Sequence, residues 1–360
     1  MDDELPVSWF PAHPYTGSVS MQRYWKELTS VASELGGIAH CPFSSSDLTQ
    51  QPGRLKRAWG IYASYPRIAS KVSTKLVHIL DQSSSHLIPF LSPDKKIVVT
   101  VHDIFPLLHS DNMSPFQHWR LCRRLQLLTR ADKLIADSEF TKSQLIEELE
   151  IPESKICVIY LGYTALSDKK EPDSSLSLPD RNEKTICLLS VGNTLKRKNL
   201  EIIPHILFEL THAGYTPLLI RAGDMLPDNI KKEIIRKIGE DVLHEYGRID
   251  DASLNTLYEK SDLLLFPSWG EGFGLPVLEA MGKGCPVVSS STTSLPEVGG
   301  EAALYFDPHN PSEACKQIIS LQDAGVRNYH VNEGFEQVKK FTWENHLQKV
   351  IRVYENVLKE

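Results

Sequence analysis

Residues 263–289 combine an apolar run, a glycine-rich turn and a helix start in the order LLLFPSWGEGFGLPVLEAMGKGCPVVS. The apolar residues 263–266 have the length of a buried strand, and the turn after them leads to Pro276, which suits the first turn of a helix. Gly284 suits the end of that helix, and residues 285–288 indicate the next strand. The segment therefore predicts a β-loop-α-β unit whose glycines lie where the strand passes into the helix.

Such a junction favours the binding of an anion. The first N–H groups of a helix have no partner within it, and they carry the positive end of the helix dipole. Glu271 precedes Gly272, Phe273 and Gly274, and Glu279 lies about one turn inside the helix. A polyol with a phosphate tail would use both kinds of group. The alternative is that Glu279 only favours the helix start and that Glu271 is a solvated loop residue.

The composition is that of an ordinary globular protein with two domains. A chain of 360 residues exceeds what one core usually supports, and 41% hydrophobic with 24% charged residues excludes a disordered protein. The six cysteines lack metal-ligand or CxxC spacing, so we interpret them as reduced thiols of a cytosolic protein. With no apolar run near about 18 residues and no signal-peptide pattern, we expect neither a membrane span nor export.

The charge is unevenly distributed. The net charge is −7, yet residues 1–164 contain 17 basic and 17 acidic residues, so the excess acid lies in the remainder. Within the first half, residues 51–80 contain six cations, no acid, and the aromatic residues Trp59, Tyr62 and Tyr65. The cations are Arg54, Lys56, Arg57, Arg67, Lys71 and Lys75. We predict peripheral contact of this segment with an anionic membrane; the alternative is a solvated helix face.

Two places in the first half follow predicted strands. Gly17 lies in the turn between a short strand and a helix that runs to about residue 36, and His102 directly follows the strand predicted at 96–101. A residue just past the carboxyl end of a parallel strand faces the ligand crevice of an open α/β sheet. His102 is therefore a candidate ligand contact, although a histidine with only a structural role is the simpler interpretation. An amphipathic helix with an apolar and a basic face is also predicted at 119–130.

The second half repeats the alternation of strand and helix. A strand at 185–191 leads to Lys196, Arg197 and Lys198, which form either a phosphate contact or a solvated turn. The strand-end loop at 245–250 suits a nucleotide base. A final amphipathic helix is predicted at 343–358.

The pattern from Glu271 to Met281, EGFGLPVLEAM, strongly resembles the E-x7-E signature of the retaining glycosyltransferases of family 4, which have the GT-B fold. The resemblance extends to residues 246–251 and 295–300. It implies an α/β protein with two doubly wound, Rossmann-like parallel-sheet domains that face each other across a cleft. The predicted parts are an acceptor-binding domain at 1–164, a linker at 165–184, a nucleotide-sugar-binding domain at 185–342 and a helix at 343–360 that returns to the first domain.

The resemblance also implies the chemistry. It implies transfer of a sugar, with retention, from a nucleotide diphosphate to a hydroxyl of a glycan or lipid-linked acceptor, without a cofactor or metal ion. The implied catalytic residues are Glu271, His102 and Lys198, with Glu279 on the ribose hydroxyls. The implied donor-binding residues are Gly17, Arg197, Lys198, Arg248, Glu271, Gly272, Phe273, Gly274, Leu275 and Glu279. Cations and backbone N–H groups would then stabilise the departing diphosphate.

The substrates follow from the same resemblance. The motifs are similar to those of bacterial mannosyl- and rhamnosyltransferases of polysaccharide assembly, so GDP-mannose is the expected donor, with UDP-glucose and UDP-N-acetylglucosamine open. We expect a cytoplasmic enzyme that works at the inner face of the membrane and binds no nucleic acid. The chain departs from the family at Asn193, where many members have Arg, and at Gly17, where a second glycine is usual. These departures motivate an alternative, a nucleotide-sugar-binding protein without transferase activity; a two-domain epimerase or phosphorylase fits less well.

Overall fold

A computed structural model of the chain describes residues 7–16, 19–34, 39–40, 53–108, 113–165 and 179–360. The chain divides into two compact units. The first unit contains Met1–Gly162 together with Trp343–Glu360, and the second contains Tyr163–Thr342. In the described part of each unit, helices accompany one parallel sheet of six strands. The predicted class, an α/β chain with two parallel-sheet domains, is confirmed.

The sheet of the first unit has the strand order β2-β1-β3-β4-β5-β6. Its strands are β1 Val7–Phe10, β2 Ala39–His40, β3 Leu76–Ile79, β4 Lys96–Val101, β5 Lys133–Ala136 and β6 Ile156–Val158. The helices along this part of the chain are α1 Val19–Glu34, α2 Arg54–Trp59, α3 Tyr65–Ala69, α4 Phe105–Leu108, α5 Pro115–Gln126 and α6 Glu139–Leu149. A short π-helical segment, Gly60–Ser64, joins α2 to α3.

The sheet of the second unit has the order β12-β11-β10-β7-β8-β9. Its strands are β7 Thr185–Gly192, β8 Thr216–Gly223, β9 Leu243–Gly247, β10 Leu263–Phe266, β11 Val287–Ser290 and β12 Ala303–Phe306. Its helices are α7 Ile203–His212, α8 Asp228–Lys237, α9 Asp251–Lys260, α10 Leu275–Gly282, α11 Leu295–Gly299, α12 Pro311–Ser320 and α13 Ala324–Val338. All four residues of β10 are buried, as expected of a central strand covered on both faces.

The last helix, α14 Trp343–Lys359, belongs to the first unit. Its buried positions recur every three or four residues, which gives one apolar face. They are Trp343, His346, Leu347, Val350, Val353, Tyr354 and Val357. The Tyr354 hydroxyl accepts a hydrogen bond from the Trp9 indole N–H at 2.9 Å and lies 2.5 Å from Nδ1 of His78. The amphipathic helix predicted at 343–358 is thus observed, and it packs on strands β4 and β5.

The structure corrects several element boundaries. The helix predicted at 119–130 begins earlier, at Pro115, because the Ser114 hydroxyl and the Gln117 side chain cap it reciprocally. It ends at Gln126, and a 3₁₀ turn continues to Arg130. The strand predicted at 285–288 begins only at Val287.

Two predictions touch residues outside the described ranges. Gly17 lies outside them, and so do residues 166–178 of the predicted linker. The described residues 179–184 form neither helix nor strand. In the described ranges, no helix is long and apolar enough to cross a membrane.

Tyr65 requires a correction. The segment 51–80, which is predicted to contact a membrane, includes Tyr65, but the side chain of Tyr65 is fully buried. Its hydroxyl donates to the Pro11 carbonyl at 2.6 Å, and its ring lies 5.6 Å from that of Phe10. Tyr65 is therefore part of the core of the first unit and takes no part in its basic surface.

Candidate functional site

Two neighbouring strands of the second unit bring Glu271 together with two of the predicted cations. Strand β10 pairs with β7, so the loops that follow them meet at the carboxyl edge of the sheet. The Lys198 ammonium lies 2.6 Å from Oε1 of Glu271, and Nη1 of Arg197 lies 2.5 Å from its Oε2. Arg197 also donates to the Gly270 carbonyl at 2.8 Å. The carboxylate therefore has one cation on each oxygen.

Burial shapes the charges of this cluster. Only 6% of Glu271 and 9% of Lys198 are exposed. Burial by itself would raise the pKa of Glu271, but Lys198 and Arg197 outweigh it and hold that pKa below its usual range. For Lys198, burial is the largest effect and lowers its pKa, although Glu271 opposes the shift. Glu271 is therefore a carboxylate at neutral pH, and it holds the Lys198 side chain in one position.

Hydroxyl groups fix the loop that carries Glu271. Ser268 donates to Oε1 of Glu271 at 2.7 Å, and the Glu271 N–H donates to the Thr293 hydroxyl at 3.0 Å. Ser294 donates to the carbonyls of Glu271 and Phe273 at 2.7 and 2.9 Å. Thr293 adopts a left-handed backbone conformation with φ of 57°. Sequence reasoning did not single out these residues, although the hydroxyl-rich run SSSTTS at 289–294 was a visible signal.

Gly274 marks the junction between this loop and helix α10. Its φ of 110° lies in the left-handed region, and a Cβ there would stand 2.9 Å from a methyl carbon of Leu295. The left-handed backbone conformation favours glycine, and an added Cβ would force the Leu295 side chain to shift. The Gly274 carbonyl accepts from the Val277 N–H at 3.0 Å, so the helix starts directly after it with Leu275 and Pro276. The positive end of α10 thus lies next to Gly272 and Phe273 in the chain.

The second carboxylate of the motif has a different partner. Glu279 is buried in α10, and its Oε2 accepts a hydrogen bond from the Tyr258 hydroxyl of α9 at 3.0 Å. Tyr258 is itself fully buried. The tyrosine therefore fixes the direction of the carboxylate, a role that sequence reasoning did not assign to it.

A buried arginine connects the ends of β7 and β8. Arg221 is 1% exposed and donates to the Gly192 and Asn193 carbonyls at 2.6 and 3.0 Å and to the Asp224 carbonyl at 3.1 Å. Burial lowers the pKa of Arg221 to about 10, so it remains a cation at neutral pH. Gly223 approaches so closely that an added Cβ would lie 2.2 Å from the Gly192 oxygen. Sequence reasoning missed Arg221, although it is the one charged residue inside the apolar run PLLIRA.

Arg248 lies at the neighbouring strand end. Its guanidinium donates to Oδ1 of Asp224 at 3.1 and 3.2 Å, and 76% of its side chain is exposed. An exposed pair of this kind contributes little to stability, about 0–1 kcal/mol. The side chain can therefore exchange Asp224 for a ligand at small cost.

His102 lies in the first unit, at the end of β4. Its ring is buried, with Nδ1 2.5 Å from Oδ2 of Asp137 and Nε2 3.0 Å from the Leu80 carbonyl. Burial lowers the pKa of His102, but Asp137 and then Asp81 outweigh it and raise that pKa to about 9. The imidazolium thus donates from both nitrogens within its own unit. A contact with a sugar would need the ring to leave the Leu80 carbonyl.

Among the described residues, no group of three or more His, Cys, Asp or Glu side chains could hold a metal ion. At the Glu271 loop, Lys198 and Arg197 supply positive charge.

Comparison with known proteins identifies similar glycosyltransferases. The family model described as Glycosyl transferases group 1 matches residues 185–323, and that described as Glycosyltransferase Family 4 matches residues 39–164. The O-antigen chain mannosyltransferase B of Escherichia coli is 29% identical over 72% of this chain and 70% of its own length. The O-antigen chain mannosyltransferase RfbU of Salmonella typhimurium is 26% identical over 81% of this chain and 80% of its own length. The serotype-specific mannosyltransferase WbdA of E. coli is 28% identical over 73% of this chain, which spans only 34% of WbdA.

Solved structures show the same fold. Sucrose-phosphate synthase from Thermosynechococcus elongatus superimposes with a TM-score of 0.76 at 19% identity, covering 98% of this chain and 99% of its own. Anabaena HepE in complex with UDP and glucose superimposes with a TM-score of 0.70 at 16% identity, covering 97% of this chain and 100% of its own. The two family matches lie on the two parallel-sheet units and together include the Glu271 to Met281 motif. The chain therefore belongs to glycosyltransferase family 4 and has the GT-B fold.

Proposed function

We propose that this glycosyltransferase is a retaining, metal-independent enzyme that moves mannose from GDP-mannose to a hydroxyl of a glycan or lipid-linked acceptor in polysaccharide assembly. The observation that carries the proposal is the cluster in which the Glu271 carboxylate holds Lys198 and Arg197 beside the start of α10. Two cations, one carboxylate and a helix N-terminus leave local positive charge, which suits a diphosphate.

Contacts within the protein hold the side chains of this cluster in place. Glu271, which also accepts a hydrogen bond from Ser268, holds the Lys198 ammonium, while Glu271 and the Gly270 carbonyl hold the Arg197 guanidinium. Because these side chains already have fixed positions, little ordering entropy is lost when a diphosphate binds. Groups fixed in this way stabilise the charge that develops on the departing phosphate.

In the proposed reaction, the bond between the anomeric carbon and the phosphate oxygen breaks. A bond from the same carbon to the acceptor oxygen forms on the same face. The acceptor proton goes to the departing phosphate, so the products are GDP and an α-mannoside. No protein base is needed, which agrees with a site in which Glu271 is paired with two cations. We assign Glu271 to the sugar hydroxyls and Glu279, held by Tyr258, to the ribose.

The choice of mannose rests on the relatives. Three of the relatives compared above are named mannosyltransferases, and two of them O-antigen chain mannosyltransferases. The solved HepE complex contains UDP and glucose, so UDP-glucose and UDP-N-acetylglucosamine are the competing donors. A difference in turnover among these three donors decides the question.

The test is proton NMR of the product formed from GDP-mannose and an α-mannoside acceptor. The proposal predicts a new α-anomeric signal at the start of the reaction, with GDP as the second product. A β-anomeric product would refute retention, and faster transfer from a UDP-sugar would refute the choice of donor.

We further propose that the enzyme contacts an anionic membrane through an aromatic-cation surface on the first unit, at the inner face of the membrane. On α2, Arg54, Lys56 and Arg57 are exposed, and Trp59 is 65% exposed. Helix α5 extends this surface beyond the predicted segment. The aromatic-cation surface consists of α2 with Tyr62, Phe116, Trp119, Arg120 and Arg123.

Direct contacts join the two parts of this surface. Arg120 of α5 donates to the Tyr62 hydroxyl at 3.1 Å and lies over the rings of Tyr62 and Phe116. Phe116 is 64% exposed and stacks on Trp119, which is 53% exposed. Neither 53–80 nor 113–130 contains an acidic residue. Aromatic side chains beside cations suit the boundary between lipid headgroups and acyl chains.

Co-sedimentation with phosphatidylglycerol vesicles tests the membrane proposal. Binding should exceed that to neutral vesicles and fall at high salt, and an Arg54/Lys56/Arg57→Glu variant should lose it, since each cation contributes roughly 1 kcal/mol. A Lys232/Arg236/Lys316→Glu variant is the matched control, because it makes the same charge change at exposed positions of the second unit. Equal binding to both vesicle types, or equal loss in both variants, would reject the proposal.

A further inference from the structure

A pocket of about 410 Å³ lies in the second unit beside the Lys196–Lys198 turn. Its walls come from the segments that follow β7, β8 and β10. That volume falls in the range of small-molecule sites, about 300–1,000 Å³. The predicted donor residues Lys198, Glu271 and Glu279 are not among the residues that line it. The pocket is therefore a separate cavity at the same edge of the sheet.

The lining combines apolar and polar side chains. Trp269, Leu195 and Ile230 supply apolar surface, and Leu195 is 56% exposed. Thr194, Glu201 and Asn229 supply polar groups. A pyranose ring has the same two characters, with C–H bonds on its faces and hydroxyls around its edge. The Trp269 indole can pack on the C–H face of the sugar, and the polar side chains can hydrogen-bond its hydroxyls.

The charge of the lining argues for a neutral ligand. Lys196 and Glu201 are the ionised side chains among the lining residues, and their charges cancel. A nucleotide would need net positive charge, which is found instead at Lys198 and Arg197. The chemistry thus favours an uncharged polyhydroxyl ligand over a second nucleotide.

Two contacts connect the pocket to the Glu271 cluster. The backbone N–H of Trp269 donates to the Arg197 carbonyl at 2.7 Å. This bond holds the Trp269 wall of the pocket to the Lys196–Lys198 turn. Asn199, which also lines the pocket, adopts φ of 51° and donates to the Pro308 carbonyl at 2.9 Å. One turn therefore presents Lys198 and Arg197 to Glu271, and Lys196 and Asn199 to the pocket.

We infer that this pocket is a saccharide subsite that binds a neutral pyranose unit of the glycan acceptor, away from the reacting hydroxyl. The inference rests on the proposed function for the identity of the glycan. It predicts that acceptors with several sugar units bind more tightly than a monosaccharide. It also predicts that this advantage depends on Trp269.

The direct test is saturation-transfer NMR and tryptophan fluorescence with α-linked mannotriose and no donor. Trp269→Ala should weaken binding roughly threefold to tenfold, since an aromatic contact of this kind contributes about 0.5–1.5 kcal/mol. Trp269→Phe should retain most of the affinity. Asn229→Trp, at an exposed position of α8, should block the pocket without altering the core. Trp119→Ala, which removes an exposed tryptophan of the first unit, is the control.

Unchanged mannotriose binding in both Trp269→Ala and Asn229→Trp would overturn the inference, as would no binding by the wild type. An equal loss in Trp119→Ala would place the sugar site elsewhere. In kinetics, Trp269→Ala should raise KM for a trisaccharide acceptor more than KM for the donor; the reverse would assign the pocket to the donor. If no nucleotide sugar is turned over, the proposed function fails, and the binding experiment still decides the pocket.

Discussion

The Lys198→Ala variant tests the proposed diphosphate site directly. Lys198 is 9% exposed and its ammonium lies 2.6 Å from Glu271, so it is held where the donor phosphates are proposed to bind. A hydrogen bond to a charged group contributes about 1.5–3 kcal/mol, which corresponds to a loss of about tenfold to a hundredfold in kcat/KM. The loss should appear for each donor that the enzyme accepts.

The same substitution also affects stability. Breaking a buried ion pair costs roughly 3–5 kcal/mol when the remaining charge has no other partner. Here Arg197 and Ser268 still contact Glu271, so the loss should be smaller. Lys237→Ala is the control, because Lys237 pairs with Glu233 at 2.8 Å within α8, outside the loops predicted to bind the donor. That variant should lose stability without losing donor turnover.

The assay is steady-state kinetics with varied donor, together with urea unfolding of each variant. A folded Lys198→Ala protein whose kcat/KM equals that of the wild type for every accepted donor would refute the assignment. An equal kinetic loss in Lys237→Ala would show that the effect is one of general stability and has no specific link to the diphosphate.

Three further predictions follow from the site and its surroundings. Burial lowers the pKa of His102, but Asp137 outweighs it and raises that pKa from 6.5 to about 9. The His102–Asp137 pair therefore stabilises the fold fully below pH 6.5, and this stabilisation is lost as the pH rises through 9. Urea midpoints in this window should fall in the wild type and stay flatter in Asp137→Asn; equal slopes would contradict the pair. Turnover should survive excess EDTA, and loss restored by Mn²⁺ or Mg²⁺ would show that a metal is required. Gly274→Ala should destabilise the second unit by roughly 1–3 kcal/mol in thermal unfolding, because φ of 110° strains an alanine and its Cβ meets Leu295; an unchanged midpoint would refute this.

The local elements of the Glu271 motif were readable from sequence. The run LLLF indicates a strand buried on both faces, and Pro276 followed by Gly284 delimits α10 to within two residues. These signals are local, because they depend on hydrophobic runs and on the backbone preferences of proline and glycine. The family 4 motif then added the fold that both units confirm.

Side-chain partners were harder to predict because they depend on strand order. Sequence reasoning placed Glu271 and Lys198 after two different strands, but the contact exists because β10 lies beside β7 in the sheet. The same holds for Arg221, whose partners come from the neighbouring strand end at Gly192 and Asn193. Such pairs span tens of residues and leave no local pattern.

For Tyr65 and His102, the neighbouring residues in sequence do not predict what the side chain contacts. Tyr65 follows a run of cations and is expected at the surface, but after the π-helical segment Gly60–Ser64 its side chain lies in the core. His102 was placed correctly at the end of β4, yet its partners Asp137 and Leu80 come from other parts of the chain. The side chain of His102 is therefore defined by packing that its neighbours in sequence do not indicate.

Release of free nucleotide, measured with purified protein and GDP-mannose, UDP-glucose or UDP-N-acetylglucosamine in the presence and absence of an α-mannoside acceptor, tests the central claim most directly. The account predicts continuous GDP release from GDP-mannose that the acceptor accelerates, slower release from the UDP-sugars, and a loss of about tenfold to a hundredfold in Lys198→Ala. Tight binding of nucleotide sugars without release of nucleotide from any of them would contradict it and would identify the chain as a binding protein.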